Sequence, residues 1–299
     1  MASYPLPSHL DGDARRLNLQ HQAFRLILNE KLLLTPVVPA DFSGRVLDIG
    51  TGTGLWAAEF AASHPAASAV VGVDLFQPDL PSPPSPPLPN LSFHILDIES
   101  NNWQPPFLQE EESFDIIHGR MVLFHMRDPL ALLRKCFALL KPGGYLEFQE
   151  MEHPYRTDDD LKDSPTVRFS RLRLEAASKC GFDRSIAGRL AELLCEAGFE
   201  LDDDGTCNEC GVHDYKFPIG SWMEELRMKL VGEKYLECLR LGMVGFSKRV
   251  MMEGLGWTEE QVIKACEEVR EDLGKGRVYA PVRVAVARKP SVAAAAVTG

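Results

Sequence analysis

The sequence has no excess of positively charged residues. Its 299 residues include 32 lysines and arginines against 43 aspartates and glutamates, which gives a formal net charge of −11. A protein that mainly grips nucleic acid phosphates needs a basic face, and so does one that docks on an anionic membrane. Adjacent basic residues occur in pairs such as Arg15-Arg16 and Lys248-Arg249, not in the longer clusters typical of nuclear import signals. We therefore expect neither nucleic acid nor membrane as a partner.

Long apolar runs are missing as well. No stretch approaches the ~18 apolar residues that a membrane-spanning helix needs. The apolar patch from Leu32 to Val38 is short and contains Pro36. The first ten residues have no basic segment followed by an apolar one, so no secretory signal is expected. A soluble, cytoplasmic protein is the expectation that follows.

Cysteines are scattered and odd in number. There are seven, and their one close pair, Cys207-Asn208-Glu209-Cys210 with His213 nearby, allows a zinc interpretation. A structural zinc site takes four ligands, usually from two close pairs, and the sequence has no second C-x-x-C. Thiols in a chain that is not secreted stay reduced. We expect free thiols and no metal site.

The sequence does contain an alternation of two patterns. Helical spacing of apolar residues over 14–34 predicts a helix that Pro36 stops. Helical stretches at 55–62 and 129–140 then separate short apolar runs typical of buried strands, which lie at 45–49, 69–74, 91–97, 114–118 and 144–149. Such an alternation predicts a parallel sheet with helices on both faces, the α/β class.

The second half of the chain predicts more helix. Helical spacing occupies 166–180, 185–197 and 221–250, and strand patterns occupy 212–217 and 282–287. Thr258 and Gln261 form a capping box for a helix that runs to about Leu273. The last strand is expected to return to the same sheet, and the tail at 291–299 is expected to be disordered.

Two segments have open interpretations. The proline-rich stretch 78–89 is either a stiff surface connection in place of a crossover helix, which we favour, or a ligand for a proline-recognition module. The methionine- and leucine-rich stretch 223–252 predicts a helical cover over the core. That cover either only packs on the core or also lines an apolar substrate cavity, since methionine adapts to irregular shapes.

The strongest local pattern is a buried strand that runs into three glycines and a helix. Gly50, Gly52 and Gly54 have the spacing G-x-G-x-G, whereas dinucleotide sites have G-x-G-x-x-G. Glycines let a ligand approach the main chain, and ligands of such sheets bind beyond the carboxyl ends of the strands. Asp48 precedes the loop by two residues. A carboxylate there attracts a cationic ligand and repels a pyrophosphate, so the pattern favours a cationic ligand over a dinucleotide.

The chain resembles class I S-adenosylmethionine-dependent methyltransferases and, within them, the LaeA-like fungal methyltransferases. The resemblance covers residues 4 to 290 approximately. The motifs that carry it are Tyr4-Pro5-Leu6-Pro7, Arg16-Leu17-Asn18-Leu19-Gln20-His21-Gln22, the loop from Leu47 to Trp56, Phe114-Asp115-Ile116-Ile117-His118-Gly119-Arg120, Leu139-Leu140-Lys141-Pro142-Gly143-Gly144-Tyr145-Leu146 and Gly254-Leu255-Gly256-Trp257-Thr258. One departure is the proline-rich segment, where family members have a shorter loop.

This resemblance implies a Rossmann-like, seven-stranded sheet with helices on both faces. It further implies an N-terminal helical lid at 1–40 and a methyltransferase domain at 41–290, with helical insertions at about 155–180 and 220–255. S-adenosylmethionine is the implied cofactor. Its amino-acid end is assigned to the glycine loop with Thr51, its ribose to Asp74 and Leu75, and its adenine to Asp97 and Ile98.

The resemblance also places residues around the reacting end of the donor. Gln20 and His21 lie on the implied lid, and the ring of Tyr4 is expected near the sulfonium, where an aromatic face is favourable. Arg120 is expected to orient either the donor carboxylate or an acidic substrate. Among the histidines near strand ends, His125 and His153 are the preferred general bases.

Three functions remain open at this stage. The first is an enzyme that methylates oxygen or nitrogen of a small, partly apolar acceptor in fungal secondary metabolism, and we favour it. The second is a regulator of secondary metabolism on the same fold, which would act through protein partners and be nuclear. The third is a methyltransferase-like protein that catalyses a different reaction. The oligomeric state is not predicted.

Overall fold

The computed structural model describes residues 13–36, 38–39, 41–80, 84–100, 103, 108, 110–201 and 210–291. Eight strands of the described residues form one sheet. They are β1 (Arg45–Ile49), β2 (Ala69–Asp74), β3 (Leu91–Ile95), β4 (Phe114–Arg120), β5 (Leu140–Met151), β6 (Arg156–Thr157), β7 (Gly211–Pro218) and β8 (Val278–Arg288). Each of the predicted strands is present, and the final one does return to the same sheet.

The sheet is mostly parallel. Strands β1 to β5 pair in parallel in the order β3-β2-β1-β4-β5, and β8 lies antiparallel between β5 and β7. The prediction of a parallel sheet from the alternating first half of the chain is therefore confirmed, and the direction of β8 is one that the sequence does not predict. The two-residue strand β6 pairs with β8 at Tyr279, where β7 occupies the opposite edge of β8. Since β6 thus continues the edge of β5, the eight strands fill seven positions, as the resemblance implied.

Seven α-helices within the described ranges cover the sheet. They are α1 (Asp13–Ile27), α2 (Leu55–Ser63), α3 (Pro129–Leu139), α4 (Pro165–Lys179), α5 (Leu190–Glu196), α6 (Leu226–Leu255) and α7 (Glu259–Asp272). Alternate residues of each strand point to opposite cores, because side chains along a strand alternate in direction. Leu47 and Ile117 contribute to the core with α3 and α5, whereas Val46 and Ile116 contribute to the core with α2. Buried residues of α1, α4, α6 and α7 form a third core with β8.

Helix α1 ends earlier than its apolar spacing predicts. It stops at Ile27, and Asn29 and Glu30 then adopt left-handed backbone angles with φ of 55° and 63°. The guanidinium of Arg227 donates to the carbonyl oxygens of Leu26 and Ile27 at 3.1 and 3.3 Å. The chain therefore leaves the helix well before Pro36, and a side chain 200 residues away caps its end.

Helix α6 is one continuous helix of 30 residues. Its buried side includes Met228, Tyr235, Leu239 and Met243, which share one core with residues of α1, α4 and β8. The capping box before α7 is present, with the Thr258 and Gln261 side chains both bonded to backbone N–H groups. The prediction of a helical cover from the methionine- and leucine-rich stretch is confirmed.

Several predicted features lie partly or wholly outside the described residues. Tyr4, Cys207 and the tail beyond Ser291 fall there. In the proline-rich segment, residues 78–80 and 84–89 form neither helix nor strand, in keeping with a surface connection, and residues 81–83 are not described. None of the helices in the described part of the chain is both long and apolar enough to cross a membrane.

Two glycines of α6 provide a test of its packing. A Cβ on Gly232 would lie 2.0 Å from the carbonyl oxygen of Gly220, whereas a Cβ on Gly245 would meet nothing within 4 Å. We expect Gly232→Ala to destabilise the fold by about 1–3 kcal/mol, because the backbone at Gly220 must move. Gly245→Ala should instead stabilise it by up to about 1 kcal/mol through helix propensity. Urea denaturation measures both, and equal effects would contradict this packing.

Candidate active site

One cavity of about 450 Å³ lies beyond the carboxyl ends of β1, β2, β4 and β5, under α1 and α6. Ligands of open α/β sheets bind at this edge. Ten of the residues singled out from the sequence line it, namely Gln20, Gly50, Gly52, Asp74, Leu75, Asp97, Ile98, Arg120, His125 and His153. His21, Asp48, Thr51 and Gly54 do not line it, and Tyr4 lies outside the described residues.

The glycine loop has the backbone that its sequence predicts. Gly50, Gly52 and Gly54 all have positive φ, at 67°, 58° and 82°. At Gly54 the need for glycine is also steric, because a Cβ would lie 2.6 Å from the ring of Phe93. The backbone N–H groups of Gly50 and Thr51 donate to the carbonyl oxygen of Val73, which fixes the loop onto β2.

Asp48 does not face the cavity, in contrast to the sequence expectation. It is 2% exposed, and its two oxygens accept from the Thr51 hydroxyl at 2.5 Å and from His118 Nδ1 at 2.7 Å. The His118 ring stacks on Trp56 at 3.9 Å between centroids. Asp48 and Thr51 therefore hold the loop in place from the side away from the cavity, and neither residue lines the cavity. The partner that turns Asp48 inward lies 70 residues away in sequence.

Asp74 and Asp97 take the positions expected at the ends of β2 and β3. Asp74 Oδ2 accepts from the Gly52 N–H at 2.8 Å, which links the second strand to the glycine loop. Burial raises the pKa of Asp74, and the backbone N–H bonds oppose that rise. Asp97 Oδ1 accepts from the Glu99 N–H at 3.0 Å. Ile98 is buried beside them and presents an apolar wall.

Arg120 lies at the end of β4 and connects the sheet to α1. Its Nε donates to Gln149 Oε1 at 2.7 Å, its Nη1 donates to His21 Nδ1 at 3.0 Å, and its guanidinium lies over Phe24. The buried Nη2 has no hydrogen-bond partner among the described residues. Burial lowers the pKa of Arg120 to about 10, so the group stays charged at neutral pH. A cavity-lining cation with a spare donor suits an anionic ligand group.

His21 does not line the cavity, and its ring nitrogens face other side chains of the protein. Because Arg120 can only donate, the His21 Nδ1 atom accepts, and the ring proton sits on Nε2. That atom lies 3.2 Å from Glu59 Oε2, which also pairs with Arg25. Burial lowers the pKa of His21. His21 thus joins α1 to α2 and to Arg120.

The far end of the cavity contains the two histidines proposed as bases. His153 is 3% exposed, and both of its ring nitrogens lack a hydrogen-bond partner among the described residues. Burial, with the nearby Arg173 and Arg184, holds the pKa of His153 well below its usual value. The same causes depress the pKa of His125, whose ring contacts Phe124. Both imidazoles are therefore neutral at physiological pH.

Sequence reasoning missed most of the side chains at this far end. They come from the turn after β5 and from α4, α6 and the segment before α5: Tyr155, Arg173, Arg184, Tyr235, Cys238, Leu239 and Phe246. The hydroxyls of Tyr155 and Tyr235 lie 3.1 Å apart, and Tyr235 also donates to the sulfur of Met151. The one available signal was helical spacing in the methionine- and leucine-rich stretch, which indicates a buried face without showing what it faces.

Glu150 supports the turn that contains His125. One carboxylate oxygen accepts from the N–H groups of Val122 and Leu123 at 2.8 Å each, and the other has no hydrogen-bond partner among the described residues. The residue is fully buried, and burial raises the pKa of Glu150 to about 8. No three histidine, cysteine or carboxylate side chains of the described ranges meet as metal ligands would. Cys210 is buried, and Cys207 is not described.

The sheet order, the glycine loop and the acidic strand ends together define a methyltransferase-type fold and site. A family model described as "Methyltransferase domain" matches residues 19–203. The chain belongs to this family of methyltransferase domains, and its cofactor is S-adenosylmethionine.

Named relatives agree with this assignment. The chain is 33% identical to "Methyltransferase pytC" of Aspergillus terreus over 292 residues, 96% of this chain and 84% of that one. It is 27% identical to "Secondary metabolism regulator laeA" of Fusarium oxysporum f. sp. lycopersici over 299 residues, 96% and 87% of the two chains. The crystal structure of the [4+2]-cyclase SpnF matches with a TM-score of 0.50 and 21% identity over 97% of this chain and 88% of that one, which shows a shared fold.

Glu150 predicts a pH dependence of stability. The folded protein holds a proton on Glu150 between the ordinary carboxyl pKa and about 8, where the unfolded chain has released it. The free energy of unfolding therefore falls as pH rises through that range. Glu150→Gln keeps the acceptor oxygen and removes the ionisation, so its stability relative to the parent should improve from about pH 5 to about pH 8. Denaturant titrations at several pH values measure this.

Glu147→Gln is the matched control on the same strand. Glu147 is also fully buried, but its oxygens accept from Leu34, from Thr35 and from Gln149 Nε2. The NH₂ group of the introduced amide would face one of these N–H or O–H donors. Glu147→Gln should therefore destabilise the fold at every pH. If the free energies of unfolding of Glu150→Gln and of the parent instead changed in parallel with pH, the conclusion that Glu150 is buried and protonated would be wrong.

Proposed function

We propose that this protein transfers the methyl group of S-adenosylmethionine to an oxygen or nitrogen of a small-molecule acceptor in fungal secondary metabolism. One observation carries the proposal. The same cavity is lined at one end by the glycine loop, Asp74 and Asp97, and at the other by buried, neutral histidines. A donor and an acceptor bound there share a single enclosed space, which a transfer reaction requires.

The donor end fits the chemistry of the cofactor. Gly50 and Gly52 line the cavity with bare backbone, and Gly52 leaves the space that a side chain would fill. The spare Nη2 of Arg120 suits the carboxylate of the amino-acid end, and the Asp74 carboxylate suits the two ribose hydroxyls, with Leu75 beside it. Asp97 and Ile98 are assigned to the adenine, and Gln20 to the donor from α1. Asp48, Thr51, Gly54 and His21 are positioning residues for this set.

The proposed cover consists of α1, within the segment 1–40, and of α6. Lys234 of α6 pairs with Gln22 of α1 at 2.6 Å, and Arg15 of α1 pairs with Glu237 of α6. The helices α4 and α6, which lie in the insertions proposed at 155–180 and 220–255, supply Arg173, Tyr235 and Phe246 to the acceptor end. This arrangement excludes water from the reacting atoms, which strengthens electrostatic interactions there.

Bound S-adenosylmethionine supplies an electrophilic methyl group on a sulfonium that leaves readily. The chain's main task is then alignment, which contributes on the order of 7–11 kcal/mol in well-oriented reactions. His153 and His125 face the acceptor as neutral imidazoles and can accept its proton at a ring nitrogen. Such a base adds ~10²–10⁴-fold where the acceptor needs deprotonation.

The direct test uses purified protein, isotopically labelled donor and an extract of a strain that lacks the gene. One extract compound should gain the label, and it should be the compound that accumulates when the gene is deleted. For an acceptor whose attacking atom is protonated in solution, His153→Ala should lower kcat by ~10²–10⁴-fold, and His213→Ala, on β7 outside the cavity, should not. If no compound gains label although the donor binds, the methyl-transfer proposal fails.

A second candidate is a regulator, favoured by the relatives named as regulators of secondary metabolism. Deletion of the gene separates the two functions. The loss of one metabolite, or of one related set, supports an enzyme of a single pathway. A change in many unrelated metabolites supports the regulator.

Asp74 provides the prediction for donor binding. Asp74→Asn removes the charge that accepts from the ribose hydroxyls, and hydrogen bonds to charged groups contribute about 1.5–3 kcal/mol. We expect Kd for S-adenosylmethionine to rise by about ten- to a hundredfold in calorimetry. Asp41→Asn makes the same change of charge at an exposed position before β1 and should leave Kd unchanged. Unaltered binding by Asp74→Asn in a folded protein would remove Asp74 from the proposed site.

A further inference from the structure

Arg173 is a buried cation that forms no ion pair within the described residues. It lies on α4, is 4% exposed and lines the acceptor end of the cavity. Its Nε has no hydrogen-bond partner, and no carboxylate of the described residues forms an ion pair with it. Its guanidinium carbon lies over the ring of Phe246, 4.5 Å from the ring centroid. Burying a charge is costly unless it is paired, so this site is incomplete as it stands.

The surroundings of Arg173 are also positive. Arg184 is 3% exposed and lines the same end of the cavity, where its guanidinium lies 5.5 Å from the centroid of Phe124. The acidic residues that line the cavity belong to other elements, namely α1, the end of β2 and the segments after β2 and β3: Asp13, Asp74, Asp79, Asp97 and Glu99. Among the lining residues, α4 and the segment that contains Arg184 contribute cations and no carboxylate, so this part of the cavity favours an anion.

We propose that the acceptor is an oxygen acid, a carboxylic acid or an acidic enol, whose ionised oxygen pairs with Arg173 while it attacks the methyl group. This inference rests on the proposed function and narrows it to O-methylation. The attacking oxygen forms the new O–CH₃ bond as the C–S bond breaks, and the electron pair of that bond stays on sulfur. An anion and a sulfonium thereby become a neutral ester or enol ether and a neutral thioether.

The histidines at this end fit such an acceptor. The low pKa of His153, caused by burial and by Arg173 and Arg184, makes it a weak base. Carboxylic acids ionise at about pKa 4, whereas phenols ionise at about pKa 10 and alcohols higher still. A weak base removes a proton effectively only from a group of comparable acidity. The same arginines that weaken the base stabilise the anion that it produces.

The first test measures binding of two probes to protein saturated with S-adenosylhomocysteine. Benzoate carries the proposed anion, and benzamide has nearly the same shape without the charge. We expect benzoate to bind about tenfold or more tightly than benzamide, as befits a charge-assisted hydrogen bond. Arg173→Met should abolish this preference, and Arg173→Lys, which keeps the cation, should retain part of it. Equal binding of the two probes, or binding of neither, would overturn the proposal.

Arg171→Met is the matched control on the same helix. Arg171 is half exposed and pairs with Asp163, so its loss should leave the benzoate preference intact. Thermal unfolding of Arg173→Met gives a second measurement. Removal of an unpaired buried charge should leave Tm unchanged or raise it, whereas a purely structural cation–π role against Phe246 predicts a fall in Tm. A fall in Tm with the benzoate preference retained would contradict the anion site.

The second test separates this inference from the proposed function. An extract of the gene-deletion strain is divided by anion exchange into acidic and neutral fractions, and each is incubated with labelled donor. Label should enter a compound of the acidic fraction, and the product should carry one negative charge fewer. Label that arises from the neutral fraction confirms methyl transfer and overturns the acid acceptor. If neither fraction gains label, methyl transfer fails, and the probe measurements alone decide whether Arg173 binds an anion.

Discussion

The contacts of Arg120 organise this molecule, because one buried guanidinium joins the sheet, the first helix and the cavity. Its hydrogen bonds reach Gln149 on β5 and His21 on α1, and its plane covers Phe24. Burial of a lone charge costs several kcal/mol. Asp48, Glu147 and Glu59 offset that cost electrostatically, each favouring the charged form of Arg120. A cation can therefore remain at the bottom of the cavity with one nitrogen still free to bind.

Because this cation is anchored on both sides, α1 cannot dock independently of the site. His21 accepts from Arg120 and its Nε2 lies 3.2 Å from Glu59 on α2, while Arg227 of α6 caps the end of α1. The proposed cover is thus tied to the residues that would bind the donor carboxylate. Donor binding and closure of the cover would then share one hydrogen-bond network, in which a change at one end alters the other.

The features that depend on residues close in sequence could be predicted from the sequence. The glycine loop, the strand-end carboxylates and the capping box at Thr258 depend on neighbours within a few residues, and all are found where expected. The direction of Asp48 could not be predicted, because His118, 70 residues away, turns it inward. The end of α1 depends on Arg227, and the acceptor end depends on how α4 and α6 pack, which helical spacing does not specify. Tertiary contacts decided each of these cases.

The charged side chains that line the cavity differ between its two ends. Asp74, Asp97 and Arg120 border the end assigned to the donor, whereas Arg173 and Arg184 border the end assigned to the acceptor. Such charges act more strongly in a cavity than in bulk water. In the proposed O-methylation, the opposite charges of donor and acceptor are neutralised as the methyl moves, so the products would lose the attraction that held the reactants. The same division that aligns the reactants would then promote release of the products.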